Sequence, residues 1–560
     1  MGIPRFYGHL QRANIRGLIA KQPPNIDILA FDLNGIFHPI LSYMFKTNLT
    51  LSEQKKAFKN ITYNDLLILS FQRITDYLTT VIKKINPNVC VILTVDGVSP
   101  LAKINQQRKR RYMTSRNSQD HYLGYDSNSI GPGTELMIKL DNFIRLWIED
   151  KSEIFPQHLF YSGHGIVGEG EHKIFNFLRE KRSIFSGLNI GIWGLDADFF
   201  MISLLNSDIK NIYLIRNNDV DDIFSNSQIY SETISINVLY DYFSKKMGNC
   251  SDFVFLMSLI GNDFLPSILE SKGDIQVIVK IILDVYNECL EKNIITKLID
   301  KNNNVIWQSV NLYLKQLFTY FKDKKYTEDI VSNIYKFPSW IFQKSITKFQ
   351  TIGINKNNTQ TIMFDSDKLR FYWYLNNFSY NRPVLKNINI IPFNDTDIEL
   401  MAIDYLIGMN WVINYYKTGH YGIWYYPYLY APLIEDLASV IIPEKIVNNI
   451  LSKDDIKLDI VEQMLCILPP KNSNLAPQFV REMMTSEISP VHDLFPDSFE
   501  IDLLAINVDW LGTPVIPSIN IYRIYSELKK ILKNNTYDYK KINTTKLYIL
   551  NKTEKKKYKK

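Results

Sequence analysis

The sequence predicts an α/β fold: a mostly parallel β-sheet flanked by helices, completed by a second, helical and aromatic-rich lobe. Three observations carry that expectation. Over the first 270 residues short apolar runs of β type alternate with helical patterns, the signature of parallel strands joined by crossovers. Three of those runs end in an aspartate, which sets acidic side chains at the carboxyl ends of neighbouring strands. Between about 365 and 525 aromatic density rises sharply, as in "WVINYYKTGHYGIWYYPYLYAP" from Trp411, as expected of packed helices and loops.

Taken in order, "IDILAFDLNG" from Ile26, "NVCVILTVDG" from Asn88, "LNIGIWGLDAD" from Leu188 and "KNIYLIRN" from Lys210 read as buried strands. The division expected is an N-terminal α/β domain over 1–270, a peripheral helical linker or insertion over 271–364, a second region over 365–525 that packs against the first, and a basic tail over 526–560, ending "NKTEKKKYKK", expected to be disordered.

With 560 residues, 46% apolar and 13% aromatic side chains, the chain can build several cores. A net charge of +6 permits a nucleic-acid partner without demanding one. Cys90, Cys250, Cys289 and Cys466 form no C-x-x-C pair, so neither a zinc knuckle nor a disulfide framework is indicated, and a reducing compartment fits. No run of about twenty apolar residues suggests a membrane span, and "MGIPRFYGHL" lacks the layout of a signal peptide. Phe6 stands where a myristoylation motif needs Ser or Thr. A cytoplasmic protein is expected, with the nucleus as the alternative. Heavy use of Asn, Ile and Lys points to an AT-rich coding genome, such as that of a large DNA virus or a parasite; a viral protein would act in the host-cell cytoplasm.

In an open parallel sheet, ligands collect beyond the carboxyl ends of the strands. Asp32, Asp96 and the pair Asp196 and Asp198 lie where strands should finish. "IVGEGEHKIFNFL" adds Glu169 and Glu171 at a glycine-rich turn into a helix, and "LIGNDFLPSI" adds Asp263 after an apolar helix. Acidic residues at helix starts and in turns are ordinary taken singly. Seven carboxylates in one cleft could not all stay ionised without cations. Such all-oxygen sites suit Mg²⁺, with Mn²⁺ as a substitute, and two ions about 3.5–4 Å apart fit in-line phosphodiester displacement.

After Pro100, "LAKINQQRKRRY" reads as a helix on which Lys103, Gln107, Arg110 and Arg111 share a face. Two guanidinium forks, an amide and an ammonium suit a phosphate with several free oxygens. His38, six residues beyond Asp32, lies near the same rim and could stack on a nucleobase.

"MGIPRFYGHL", "FDLNGIFH", "DGVSPLAKINQQRKRRY", "DSNSIGPGTELM", "SGHGIVGEGEHKIFNFLR", "GLDADFFMISLL" and "DFVFLMSLIGNDFLP" resemble, in order, the motifs of the XRN family of 5′→3′ exoribonucleases. The likeness continues through "GMNWVINYYKTGHYGIWYYPYLYAPLIEDL" to "WLGTPVIPSI", covering nearly everything from Met1 to about residue 525. It implies a PIN/FEN-like nuclease core and a Mg²⁺-dependent, processive enzyme. Such an enzyme hydrolyses single-stranded RNA from a 5′-monophosphate end to nucleoside 5′-monophosphates, in RNA decay. By motif position Asp32, Asp96, Glu169, Glu171, Asp196, Asp198 and Asp263 match the metal-binding set. Lys103, Gln107, Arg110 and Arg111 match the 5′-phosphate pocket, and His38 matches a residue that stacks on the first base. The family's second-lobe tryptophan falls on Trp424, with Trp411 as the alternative, because "YGIW" replaces a longer "SWxW" run. The resemblance implies a compact catalytic core acting as a monomer, and names no protein partner. A flap-type DNA nuclease shares the acidic cluster, but its helix-hairpin-helix element is missing from "FLPSILESKGDIQVIV" after Asp263. An inactive RNA-binding scaffold would be expected to have lost carboxylates, and all seven remain.

Overall fold

The computed structural model describes residues 6–117, 121–194, 196–217, 231–272, 275–323, 393–420, 424–442, 458–503, 512–534 and 548–551, with short pieces between 351 and 378 and the single residues 422 and 447. Its frame is an eight-stranded sheet in the order β1-β7-β6-β5-β2-β3-β4-β12. The strands are β1 Ile19–Ala20, β2 Ile28–Asp32, β3 Cys90–Thr94, β4 His158–Ser162, β5 Ile190–Trp193, β6 Ile212–Asn217, β7 Ser231–Ser235 and β12 Tyr548–Asn551. Two hairpins lie outside the sheet, β8 Thr351–Ile354 with β9 Gln360–Ile362 and β10 Glu500–Asp502 with β11 Thr513–Val515.

The five inner strands β6, β5, β2, β3 and β4 run parallel, while β7 and then β1 on one side and β12 on the other are added antiparallel. The inner strands ILAFD, CVILT and IGIW are near-continuous apolar runs, as strands covered on both faces must be. From β2 the chain moves outward to β3 and β4 and then returns to β5 on the other side. The switch point therefore lies between β2 and β5, where a crevice opens at the carboxyl ends.

One face of the sheet is covered by α2 Asn34–Met44, α4 Tyr63–Ile85 and α6 Glu135–Asp150, which share a core with Phe31, Leu93 and Trp193. α1 Phe6–Ala13, α3 Leu51–Ala57 and α5 Leu101–Asn117 complete the early helices. The opposite face carries α7 Gly170–Glu180, α8 Asp198–Leu205, α9 Ile236–Met247 and α10 Cys250–Met257, in a larger core that extends into the second lobe. That core includes α11 Ile275–Glu291 and α12 Trp307–Asp323, through Ile282, Tyr286, Tyr313 and Leu317, and α13 Asp395–Thr418. The stretch expected as a peripheral insertion thus packs centrally over 275–323, because both helices present wide apolar faces; residues 324–350 lie outside the described residues.

α14 Ile434–Ser439 packs on α12 and α13, while α15 Ile460–Ile467, α16 Gln478–Thr485 and α17 Ile521–Asn534 form a third core with Val98, Leu101 and Ile104 at the start of α5. The expectation of a disordered tail from 526 is corrected in two places. α17 runs to Asn534 and buries Ile521, Ile524 and Leu528. β12 pairs with β4 and sets Tyr548 against the first-face core, giving the open edge of β4 a ladder partner. Residues 535–547 and 552–560 lie outside the described residues. No described helix is long and apolar enough to cross a membrane.

Candidate active site

The crevice at the switch point collects the acidic residues. Asp32 is the last residue of β2, and its Oδ1 accepts the Asn34 N–H at 3.2 Å. Asp96 stands two residues beyond β3. The Gly170 N–H donates to its Oδ1 at 2.7 Å, Asn34 Nδ2 donates to its Oδ2 at 2.8 Å, and its own N–H donates to Asn34 Oδ1 at 3.2 Å. Gly170 is required by proximity, since a Cβ there would stand 2.6 Å from Asp32 Oδ1. Gly168, at φ +108°, turns the chain so that Glu169 caps α7 and Glu171 falls in its first turn. Asp198 opens α8. Asp263 is set by an Asx turn in which Asn262 Oδ1 accepts the N–H groups of Phe264 and Leu265, each at 2.9 Å.

Electrostatics show that the seven carboxylates form one set. Burial, then Asp96 and Asp196, raise Asp32 well above the usual carboxylate range; burial, then Glu169, do the same for Glu171. Asp198 is pushed up to about 7 by burial and by its neighbours Asp196 and Asp263. The Lys103 ammonium lies inside this set, 2.8 Å from Glu169 Oε2 and 2.5 Å from Asp263 Oδ2. Burial would lower its pKa, but Asp263 and Glu169 hold it well above the ordinary lysine value.

The second lobe closes the site with two hydroxyls. From the last turn of α13, Tyr415 donates to Glu169 Oε1 and Tyr416 to Asp198 Oδ1, each at 2.6 Å. His172 stacks on Tyr415 with ring centroids 3.7 Å apart. Lys173 Nζ donates to the carbonyls of Val95 at 2.7 Å and Gly163 at 3.0 Å, fastening the loop of Asp96 to the end of β4. Sequence reasoning missed Tyr415 and Tyr416; the one signal was a pair of adjacent hydroxyl-bearing rings near the end of a long helix. It also missed Asn34, whose placement in "FDLNG" hints at the Asx geometry.

A hard divalent cation fits this donor set: every ligand type is carboxylate oxygen, and four of the acids are raised by burial and by crowding that a cation would relieve. As the side chains stand, no three acidic groups among the described residues close on one ion-sized position. Lys103 supplies positive charge between Glu169 and Asp263.

α5 forms as expected, yet its basic residues part company. Lys103 joins the carboxylates. Gln107 Nε2 donates to Ser99 Oγ at 3.0 Å. The Arg111 guanidinium donates to the carbonyls of Asn128 at 2.7 Å and Ile130 at 3.2 Å in the "DSNSIGPG" loop, so close that a Cβ on Gly131 would meet it at 2.5 Å. Arg110 is exposed. His38 is held neutral, at about 3, by burial and by the charges of Arg110 and Arg111, which places the three together. Arg108 points the other way: wholly buried, it donates to the carbonyls of Cys466 at 3.0 Å and of Leu494, with Phe495 beneath its guanidinium.

Trp424 and Trp411 both lie in the core, 6% and 1% exposed, with ring centroids 5.3 Å apart. A Cβ at Gly408 would come within 2.3 Å of the Trp424 ring, so α13 and that indole are in direct contact. The described structure therefore presents neither indole on an open wall, because the larger core of the second lobe claims both. Tyr421 and Ile423 of "YGIW" lie outside the described residues.

Comparison with known proteins gives matches at both ends of the chain. The model described as XRN 5′-3′ exonuclease N-terminus matches residues 1–218, and that described as Xrn1 helical domain matches 373–560. The chain is 24% identical over 690 residues to "5′-3′ exoribonuclease 1" of Saccharomyces cerevisiae, covering 95% of this chain and 43% of that relative. It is 24% identical over 608 residues to the Homo sapiens protein of the same name, covering 94% and 34%. A "5′-3′ exoribonuclease 2 homolog" of Drosophila melanogaster is 23% identical over 618 residues, covering 90% and 65%. The chain thus spans less than half the length of the first two relatives. Among solved structures, "The catalytic core of Rad2 in complex with DNA substrate" is similar at a TM-score of 0.31 and 14% identity, covering 66% of this chain and 94% of that one.

Proposed function

Since the chain belongs to the XRN family, we propose that it is a 5′→3′ exoribonuclease that hydrolyses single-stranded, 5′-monophosphorylated RNA processively to nucleoside 5′-monophosphates, in the cytoplasm, as a monomer. The observation that carries this reading is the junction between the acidic cluster and α5. Lys103 is bonded to Glu169 and Asp263, and Arg110 and Arg111 stand two turns further on beside His38. Seven residues of helix span about 10 Å. On that scale one nucleotide can place its 3′ phosphodiester at the carboxylates and its 5′-phosphate at the guanidinium groups.

In this reading Asp32, Asp96, Glu169, Glu171, Asp196, Asp198 and Asp263 hold Mg²⁺, in two ions, with Mn²⁺ as a substitute. Bound there, the ions supply an activated water and stabilise the leaving oxyanion. The protein's own part is positional. Asn34 and the Gly170 N–H fix both oxygens of Asp96, while Tyr415 and Tyr416 fix one oxygen each of Glu169 and Asp198, so that the remaining lone pairs face the crevice. Arg110 and Arg111 receive the 5′-phosphate with Gln107 beside them, Arg111 pre-set by the Asn128 and Ile130 carbonyls, while Lys103, expected in that pocket, stays with Glu169 and Asp263 at the other end of the nucleotide. His38 is neutral and planar at this rim, suited to stacking on the first base. Trp424, with Trp411 as the alternative, is the second-lobe candidate for the other side of that base.

Digestion of one RNA carrying a 5′-monophosphate, 5′-triphosphate, cap or 5′-hydroxyl tests the reading. Fast mononucleotide release from the monophosphate alone is expected, and Arg110→Ala should lose the preference over the 5′-hydroxyl. Equal rates on all four ends would overturn the phosphate pocket, and an absence of Mg²⁺-dependent mononucleotides would overturn the enzyme.

A further inference from the structure

A cavity of about 1150 Å³ opens on the side of α5 away from Arg111, between the first lobe and the loops of the second. It touches both ends of the proposed nucleotide site, because Asp263 and Arg110 both line it. Phe264, also in the lining, stands between the cavity and the cluster: the Lys103 ammonium lies 5.6 Å from the centre of its ring. The volume exceeds the roughly 300–1,000 Å³ of ordinary small-ligand pockets, so there is room for a nucleotide and water.

Its charge is distinctive. The acids in the lining are already engaged, Asp263 by Lys103 and Asp126 by the Asn128 N–H at 2.8 Å and by Asn472. Lys109 and Arg110 have no ion-pair partner among the described residues, and burial alone pulls the Lys109 ammonium down to about 8. Gln106 adds a buried side-chain oxygen without a hydrogen-bond partner among the described residues. Tyr428, half-buried, supplies a planar side chain in the lining, with the largely buried Tyr426 and Phe264 behind it. Two cations without an ion pair among the described residues, an acceptor oxygen that a base N–H can meet and an aromatic side chain together describe a receptor for a small phosphorylated, ring-bearing anion.

We propose that this cavity is an exit chamber for the released nucleoside 5′-monophosphate, which leaves past Phe264 and is drawn from Arg110 to Lys109. The inference rests on the exonuclease reading and adds a path for its product. While the RNA chain fills the entrance, a processive enzyme needs a second way out for each mononucleotide before the next 5′-phosphate can occupy the same pocket.

The test uses the full chain, 5′-monophosphorylated RNA at saturating concentration, and AMP as the probe. AMP held in the chamber slows continuous degradation without competing with RNA, whereas AMP in the 5′-phosphate pocket competes. Lys109→Ala is expected to weaken the noncompetitive inhibition about tenfold, to leave single-turnover release of the first nucleotide unchanged, and Lys109→Arg is expected to restore inhibition. Lys109→Gln, with its melting temperature checked against the parent chain, serves if the alanine variant folds poorly. Inhibition that is purely competitive, or equal in parent and variants, overturns the chamber. So does a parallel loss of first-nucleotide release, which would put Lys109 in the substrate pocket instead. A parent chain that releases no mononucleotide overturns the exonuclease reading, and the chamber with it.

Discussion

The two sides of α5 carry the same kind of residue and meet opposite surroundings. On the side of the crevice, Lys103 is bonded to two carboxylates, Gln107 to Ser99 and Arg111 to two carbonyls. On the cavity side, Lys109 and Arg110 have no ion pair among the described residues. Arg108, between them in sequence, is sealed against the second lobe. "RKRR" therefore is not one basic patch. Successive residues on a helix point about 100° apart, and here each direction ends in a different environment.

The largest effect is expected where the crevice side meets the acids. Asp96→Asn or Asp198→Asn should lower mononucleotide release from 5′-monophosphorylated RNA in Mg²⁺ by about 10²–10³-fold, with the circular dichroism spectrum unchanged. Full activity in either variant would remove the functional content of the comparison. Next, Arg108→Ala should cost about 3 kcal/mol in denaturant unfolding, since it leaves two buried carbonyls without a donor. Its neighbour Arg110→Ala should cost under about 0.5 kcal/mol. Similar losses from both would mean that the two arginines do not have separate destinations.

A third effect is in pH. The pKa of His38 lies near 3 in the folded chain, below its ordinary value of 6.5. Between those values the unfolded chain binds the proton more readily, so the contribution to stability is whole above 6.5 and is lost as pH falls toward 3. His38→Gln should flatten that dependence, which amounts to at most about 1.4 kcal/mol per pH unit; denaturation midpoints at pH 7 and pH 5 measure it. An unaltered slope would separate His38 from the arginines. The smallest effect is expected for Tyr416→Phe, which removes one hydrogen bond to Asp198: about a tenfold loss of activity that higher Mg²⁺ partly restores.

Much of the first lobe was legible. The runs at 26, 88, 188 and 210 became β2, β3, β5 and β6, because strands buried on both faces must be apolar throughout. The strand β4 was not read: HLFYS begins with a half-exposed histidine and carries no continuous apolar signal. The edge strand β12 hid in a basic tail, since only pairing with β4 gives its four residues a partner. Tyr415 and Tyr416 could be read as aromatic core, and both are buried, but nothing in the helix tells that their hydroxyls reach Glu169 and Asp198. The burial of Trp424 against Gly408 is equally a matter of how two distant segments pack.

By itself, then, the sequence determined the parallel sheet, the helix of Lys103 and the place of Asp32 and Asp96 at neighbouring strand ends, because strand polarity and strand ends are local properties that place acids on one rim. The tertiary structure decided what each charge faces: Lys103 turned into the acids, Arg108 sealed in a protein interface, Lys109 left open to a cavity. Charge is written residue by residue, but its neutralisation depends on groups hundreds of positions away, and only packing brings those within a few ångströms.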